Sequence, residues 1–218
     1  VRLASLVVAA LLLAGCGGGS TPAGGTAPAR SLVLRAADLP ADWSSAPHDA
    51  AADNYGRIAA RYRRCIGSDV ELPADAEQAS SPDFAQANGA RQVKSAVTLA
   101  GDTAGPAVRD LDRPRSATCL TDSFQAVLPA DEVAGLEVRS VSTAPLPMTA
   151  DVDEVVALRT TLGLRLHAAD FVVYVDNVFL ADGPWFGRLY FVGTVQPLDA
   201  ALERRLVADV AGRMSSAR

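Results

Sequence analysis

The stretch "ADFVVYVDNVFLADGPWFGRLYFVGTVQP", Ala169 to Pro197, holds seven of the twelve aromatic residues and constrains the fold more than any other part of the chain. Two runs of alternating character flank "ADGPW", a pattern that predicts a β-hairpin. Its register decides what it presents, because a slip of one residue moves every side chain to the other face. For Phe171, Val173, Val175 and Phe179 to share a face with Leu189, Phe191 and Val195, the loop must hold an odd number of residues. Pairing Leu180 with Phe186 meets that condition and leaves Ala181 to Trp185 as the loop. Tyr174, Asp176, Arg188 and Tyr190 then gather on the opposite face, with Trp185 at the tip beside Pro184. Rings and a charge pair suit a polar small molecule or a peptide, so these five residues are the candidate ligand or partner contacts. Ordinary cross-strand pairing with a surface salt bridge explains four of them as well, and a lone exposed aromatic marks a contact site only within a cluster.

Other segments supply the rest of a sheet and its cover. "ARQVKSAVTLA" alternates as a strand with Val93, Ser95, Val97 and Leu99 on one side, and "GLEVRSVSTAPL" and "DEVVALRTTLGLRL" are strand-like. "DAAADNYGRIAARYRRCIG" predicts a helix that Asp49 caps, with Arg61, Arg63 and Arg64 late and Gly67 at its end. Tyr55, Ile58 and Tyr62 share one of its faces and carry Cys65 toward the core. Short helices are expected from near Asp102 to before Pro114 and around Cys119, Leu120 and Phe124. Asp199 caps a closing helix whose stripe is Leu202, Leu206, Val210 and Met214. Glu71 to Gly89 is breaker-rich and predicts mostly loop. Strands interrupted by helices, with a final strand pair and a covering helix, indicate an α+β class: an antiparallel sheet with helices packed mainly on one face, in a single domain.

At the other end, Arg2 precedes about a dozen apolar residues, too few for a spanning helix of roughly 20. "LAGC", Leu13 to Cys16, resembles the bacterial lipobox. That resemblance implies a lipoprotein signal peptide over residues 1–15 and a diacylglyceryl thioether on Cys16; an ordinary secretory signal with a chance cysteine is the alternative. Gly17 to Arg30 contains five Gly and two Pro and no large apolar side chain, so residues 16–30 are expected to be a flexible tether reaching on the order of 20 Å. Residues 31–218 are left for the domain, enough for one sizeable core. Three cysteines is an odd number for an exported chain. With Cys16 lipidated, Cys65 and Cys119 remain as a disulfide pair in an oxidising compartment, the alternative being two reduced, buried thiols.

The formal net charge of −5 is spread out and excludes a nucleic-acid partner, whose phosphates require a basic patch. Lys94 is the only lysine against abundant arginine and alanine, a bias of high-GC genomes. From about residue 60 onward the order "RCIG", "RQVKSAVTLAGDTAGPAVRDL", "TCL", "VVYVDNVFLADGPWFGRLYFVG" and "LERRLVADVAGRM" resembles actinobacterial envelope lipoproteins and extracytoplasmic sensor-type domains such as that of the mycobacterial kinase PknH. The resemblance implies a ligand cleft. That sensor domain resembles a two-disulfide fold, whereas one bridge is possible here.

Catalytic machinery is hard to assemble from these residues. His48 and His167 have no metal-ligand spacing around them, and no cysteine pair stands at C-x-x-C. No G-x-S-x-G or S-x-x-K activates a serine, and "GDTAG" lacks the lysine of a phosphate loop. Asp151, Asp153 and Glu154 lack the glycine-bearing loop of an EF-hand and read as a solvated acidic turn. No catalytic residue, metal or cofactor is expected. The sequence therefore predicts a lipid-anchored, non-catalytic domain on the outer face of the cytoplasmic membrane. Its partners would be the membrane, through the anchor, and a small molecule, lipid or envelope protein. A cell-envelope hydrolase or transferase and a passive scaffold subunit are the alternatives.

Overall fold

The computed structural model describes residues 27–48, 55–128 and 135–218. The expectations for the signal peptide, for Cys16, for the tether up to residue 26 and for the Asp49 cap lie outside these residues. In chain order the elements are α1 (Ala27–Leu32), β1 (Ser44–Ala46), α2 (Tyr55–Ile66), β2 (Gln78–Ser80), β3 (Asp83–Gln86), β4 (Arg91–Leu99), α3 (Ala104–Leu111), α4 (Ser116–Val127), β5 (Leu136–Pro145), β6 (Glu154–Leu166), β7 (Ala169–Asp182), β8 (Trp185–Thr194) and α5 (Ala200–Ser215). The eight strands form one antiparallel sheet in the order β1-β3-β4-β8-β7-β6-β5, with β2 also paired to β4. The class is α+β, in a single domain.

Helices cover both faces of this sheet rather than mainly one. On the first face α2, α3 and α4 bring Ile58, Tyr62, Val108, Leu120 and Phe124 onto Leu162, Val173, Val175, Phe179 and Val192. On the second face α1 and α5 bring Leu32, Leu206, Val210 and Met214 onto Val97, Val178, Leu180, Leu189 and Phe191. Each such side chain, fully buried, contributes roughly 2 kcal/mol, so both layers are integral to stability. The closing helix has the expected cap: Asp199 Oδ1 accepts from the backbone N–H of Ala201 and Leu202 at 3.0 and 2.8 Å. Its buried stripe runs through Glu203, Leu206, Val207, Val210 and Met214, while Leu202 is half-buried.

Three boundaries differ from the expected ones. Helix α1 starts at Ala27, inside the stretch expected as tether, because Ala29 and Leu32 bury against the second-face core. The segment from Glu71 to Gly89 contributes two short strands, β2 and β3, which pair with β4 instead of remaining loop. The hairpin turn is the third. Ala181 faces Phe186 and Asp182 faces Trp185, so the turn holds only Gly183 and Pro184. Gly183 takes φ +54°, the left-handed conformation that a II′-type hairpin turn asks of its first central residue. Leu180 consequently faces Gly187, and the register is one residue away from the expected pairing.

Cys65 and Cys119 are joined, their Cα atoms 5.6 Å apart, which fastens α2 to α4 over the first face. On the chain-entropy account, closing a 54-residue loop removes about 4 kcal/mol of unfolded-state freedom.

Candidate functional site

Residues directly opposite one another in an antiparallel pair share a face. With the observed register, Tyr174 and Asp176 stand opposite Gly193 and Phe191 on the second face, whereas Asn177 and Phe179 stand opposite Tyr190 and Arg188 on the first. The four candidate contacts therefore do not form one cluster; two lie on each side of the sheet. Trp185 is not exposed at a tip either. It is a strand residue only 4% exposed, packed into the second-face core, and its Nε1–H donates to the Ala217 carbonyl at 3.1 Å.

On the second face Asp176 gains partners that the sequence pattern does not announce. Arg159 on β6 sits directly across from it and donates from Nε and Nη2 to its two carboxylate oxygens, both at 2.6 Å. Such a fork-to-fork pair is the strongest form of charge-assisted hydrogen bond. Glu203, from the first turns of α5, completes the group: its carboxyl stands 3.9 Å from the same Arg159 Nη2 that Asp176 engages, so two carboxyl groups share one guanidinium. Asp176 is 1% exposed and Glu203 2%. Burial, and then the neighbouring Asp176 charge, push the Glu203 carboxyl up to about 8, with Arg159 working in the other direction. Glu203 therefore keeps its proton at neutral pH. The hydrogen bonds that Arg159 donates to Asp176 hold its guanidinium still more firmly charged.

Helix α5 ends its cover at this cluster. Beyond it, Ser140, Ser142 and Ala144 of β5 are exposed, and Thr161, Gly163, Val172 and Tyr174 are half-buried on the same face. The side chain of Arg159 keeps 27% of its surface accessible, so the buried carboxyl pair meets this hydroxyl-rich floor through a guanidinium. Such an arrangement suits holding a hydrogen-bond acceptor or anion. It does not suit acid–base work on a substrate, because both carboxyl groups are behind Arg159 and out of reach.

The first face buries cations instead. Arg188 Nη2 donates to Asn177 Oδ1 at 2.8 Å, and the guanidinium lies 5.5 Å from the Phe179 ring centre and 5.9 Å from that of Tyr190. Lys94 Nζ approaches the other side of this group, 5.1 Å from the Tyr190 ring centre. All four polar side chains are buried under the helical layer. Electron-rich ring faces take over part of the solvation that water would give a cation.

Elsewhere several titratable groups have local structural partners. His48 Nδ1 is 3.1 Å from Asp83, and His167 occupies the β6–β7 turn with φ +54°. Glu154 pairs with Arg109 at 2.8 Å, and Asp153 accepts from the Gly183 N–H and from Arg218 at 2.8 and 3.0 Å. Among the described residues no three His, Cys, Asp or Glu side chains converge on a metal site, and no helix is long and apolar enough to cross a membrane. A shallow open groove of about 440 Å³ runs between α1 and α5, lined by Leu32, Arg35, Asp209 and Arg213 among others.

Arg159 and Glu203 are the site residues that sequence reasoning missed. An acid four residues before Val207 and three before Leu206 falls on the apolar stripe of its helix, and that is the signal for Glu203. Arg159 needs the strand register before its partner can be named. No protein-family model matches the chain, and no curated protein resembles it significantly.

Proposed function

We propose that the chain is a lipid-anchored extracytoplasmic binding domain. Cys16 holds it at the outer face of the cytoplasmic membrane, as the lipobox resemblance implies. Its open sheet face around Arg159 and Tyr174 takes a ligand or envelope partner without transforming it. The observation that carries this reading is the Cys65–Cys119 bridge. It accounts for two of three cysteines in the manner of an oxidising compartment and leaves the one that follows the apolar run. The floor of hydroxyls beside a partly accessible arginine supports binding through polar contacts. Inaccessibility of the Asp176–Glu203 pair weighs against a hydrolase.

Cys16→Ser tests the anchor. The reading expects the wild-type chain to fractionate with membranes and to yield an amino-terminal peptide heavier by a diacylglyceryl group. The variant should be released while keeping its Cys65–Cys119 bridge. Undiminished membrane fractionation of Cys16→Ser at unchanged size contradicts the proposal.

A further inference from the structure

The two ends of α5 are fastened differently. At the carboxyl end, Arg213 donates to the Val33 carbonyl at 2.8 Å and pairs with Asp38, Ser215 donates to Asp182, and the Ala217 carbonyl takes the Trp185 indole N–H. Arg218 adds contacts to Asp153 and Asp182. At the amino end, Arg205 reaches the Asp38 carbonyl at 2.8 Å, outside the sheet. Among the described residues, the polar link from the first two turns to the sheet is Glu203, which meets the Arg159 guanidinium that Asp176 holds. Glu203 Oε1 is buried and has no hydrogen-bond partner, so the link rests on the other oxygen, the one that faces Arg159.

The connection into α5 is strained. Val195 has φ +73°, a conformation disfavoured for a β-branched side chain, and is nevertheless 66% exposed. No packing gain at its side chain compensates for that backbone; the bond from its N–H to the Val172 carbonyl at 2.7 Å and the tight fold of Gln196 over Gly193 hold it there.

We infer that Glu203, held in its neutral form beside the Asp176–Arg159 pair, is a latch keeping the first two turns of α5 on the sheet, with strained Val195 as the hinge about which they lift. The groups facing the latch are Asp176 from β7, Arg159 from β6 and Arg204 from α5 itself. When the proton leaves, two buried carboxylates share one bidentate arginine that is already committed to Asp176, and repulsion falls on the helix. The sign follows from linkage. Folded Glu203 keeps its proton to about pH 8, whereas an unfolded one loses it near 4.5, so this group's stabilisation is greatest at the acid end and declines as pH rises through that window. Lifting α5 would widen the open face around Arg159. The latch itself requires neither the lipid anchor nor a ligand, so it can fail while the proposed function stands, and the reverse.

Amide hydrogen exchange of the full chain, corrected for the intrinsic pH dependence of exchange, tests the latch at pH 7 and pH 9. Protection at Leu206 and Val207 should fall at least tenfold while that at Met214 holds. Glu203→Gln keeps the shape of the side chain without a titrating proton and should abolish the fall. Equal protection at both pH values in the wild type, or an unchanged fall in Glu203→Gln, overturns the inference. Should Glu203→Gln not fold, Asp176→Asn serves instead. That change removes the neighbouring charge that helps hold the Glu203 proton, so the fall should shrink or move, and a fall between pH 7 and 9 identical to the wild type overturns it equally. Val195→Gly, which suits that φ, should reduce the fall; no reduction removes Val195 from the device.

Discussion

On one face of the sheet Lys94 and Arg188 lie among the rings of Tyr190 and Phe179 beneath three helices. On the other, Asp176 and Glu203 lie behind Arg159, where α5 ends its cover. Both regions bury charge, and they replace its hydration by different means. Ring faces and an amide oxygen are permanent features of the first face, and they do not titrate. The second face relies on one guanidinium for two carboxyl groups, and so it needs a proton as well. The closed face is built to be insensitive to its surroundings, whereas the open one responds to pH and reaches solvent through Arg159. That difference places the responsive chemistry where a ligand has access.

The disulfide offers the largest way to break the symmetry, because it fastens the closed face only. Cys65→Ala with Cys119→Ala should lower the unfolding free energy by about 4 kcal/mol. Hydrogen exchange in the variant should rise in α2 and α4 before it rises in α5; equal loosening of both layers would show that the faces are not independent. A somewhat smaller effect is expected on the open side. Arg159→Met leaves Asp176 buried without its counter-charge and should cost about 3 kcal/mol at neutral pH by chemical denaturation. A cost near zero would mean that water already solvates Asp176. Smallest is Trp185→Phe, which loses the indole hydrogen bond to Ala217 and should cost about 1 kcal/mol. Since Trp185 is buried, affinity for any ligand of the open face should not change; a loss of binding with intact stability would restore it as a contact residue.

Much of the architecture could be read from the residues, and the errors share one cause. The hairpin, the strands β4, β5 and β6, the helix that carries Cys119 and the cap at Asp199 each follow from local patterns that the tertiary structure leaves alone. Register did not follow, because β7 and β8 are apolar on both faces. Val173 and Val175 bury under α3 and α4, and Val178 and Leu180 bury under α5, so alternation offers nothing to choose one face as the inner one. Expecting helices on one face made Phe171, Val173, Val175 and Phe179 look like partners of Leu189 and Phe191. The turn would have decided otherwise, since Gly183 followed by Pro184 is enough for a two-residue connection. Once the register moves by one, Tyr174 and Asp176 part from Arg188 and Tyr190, while the separate β6–β7 register sets Arg159 opposite Asp176. Glu203 escaped notice because acids on an amphipathic helix are ordinarily assigned to the solvent side.

Everything said of the two faces depends on which arginine Asp176 answers to, and a pair of double-mutant cycles measures that directly. Combining Asp176→Asn with Arg159→Met should give a coupling energy above about 1.5 kcal/mol, as expected for residues in one buried ion pair. Combining Asp176→Asn with Arg188→Met should give additive effects within about 0.5 kcal/mol, because the sheet lies between them. Strong coupling to Arg188 with none to Arg159 would contradict the account, since only the other register brings that pair together.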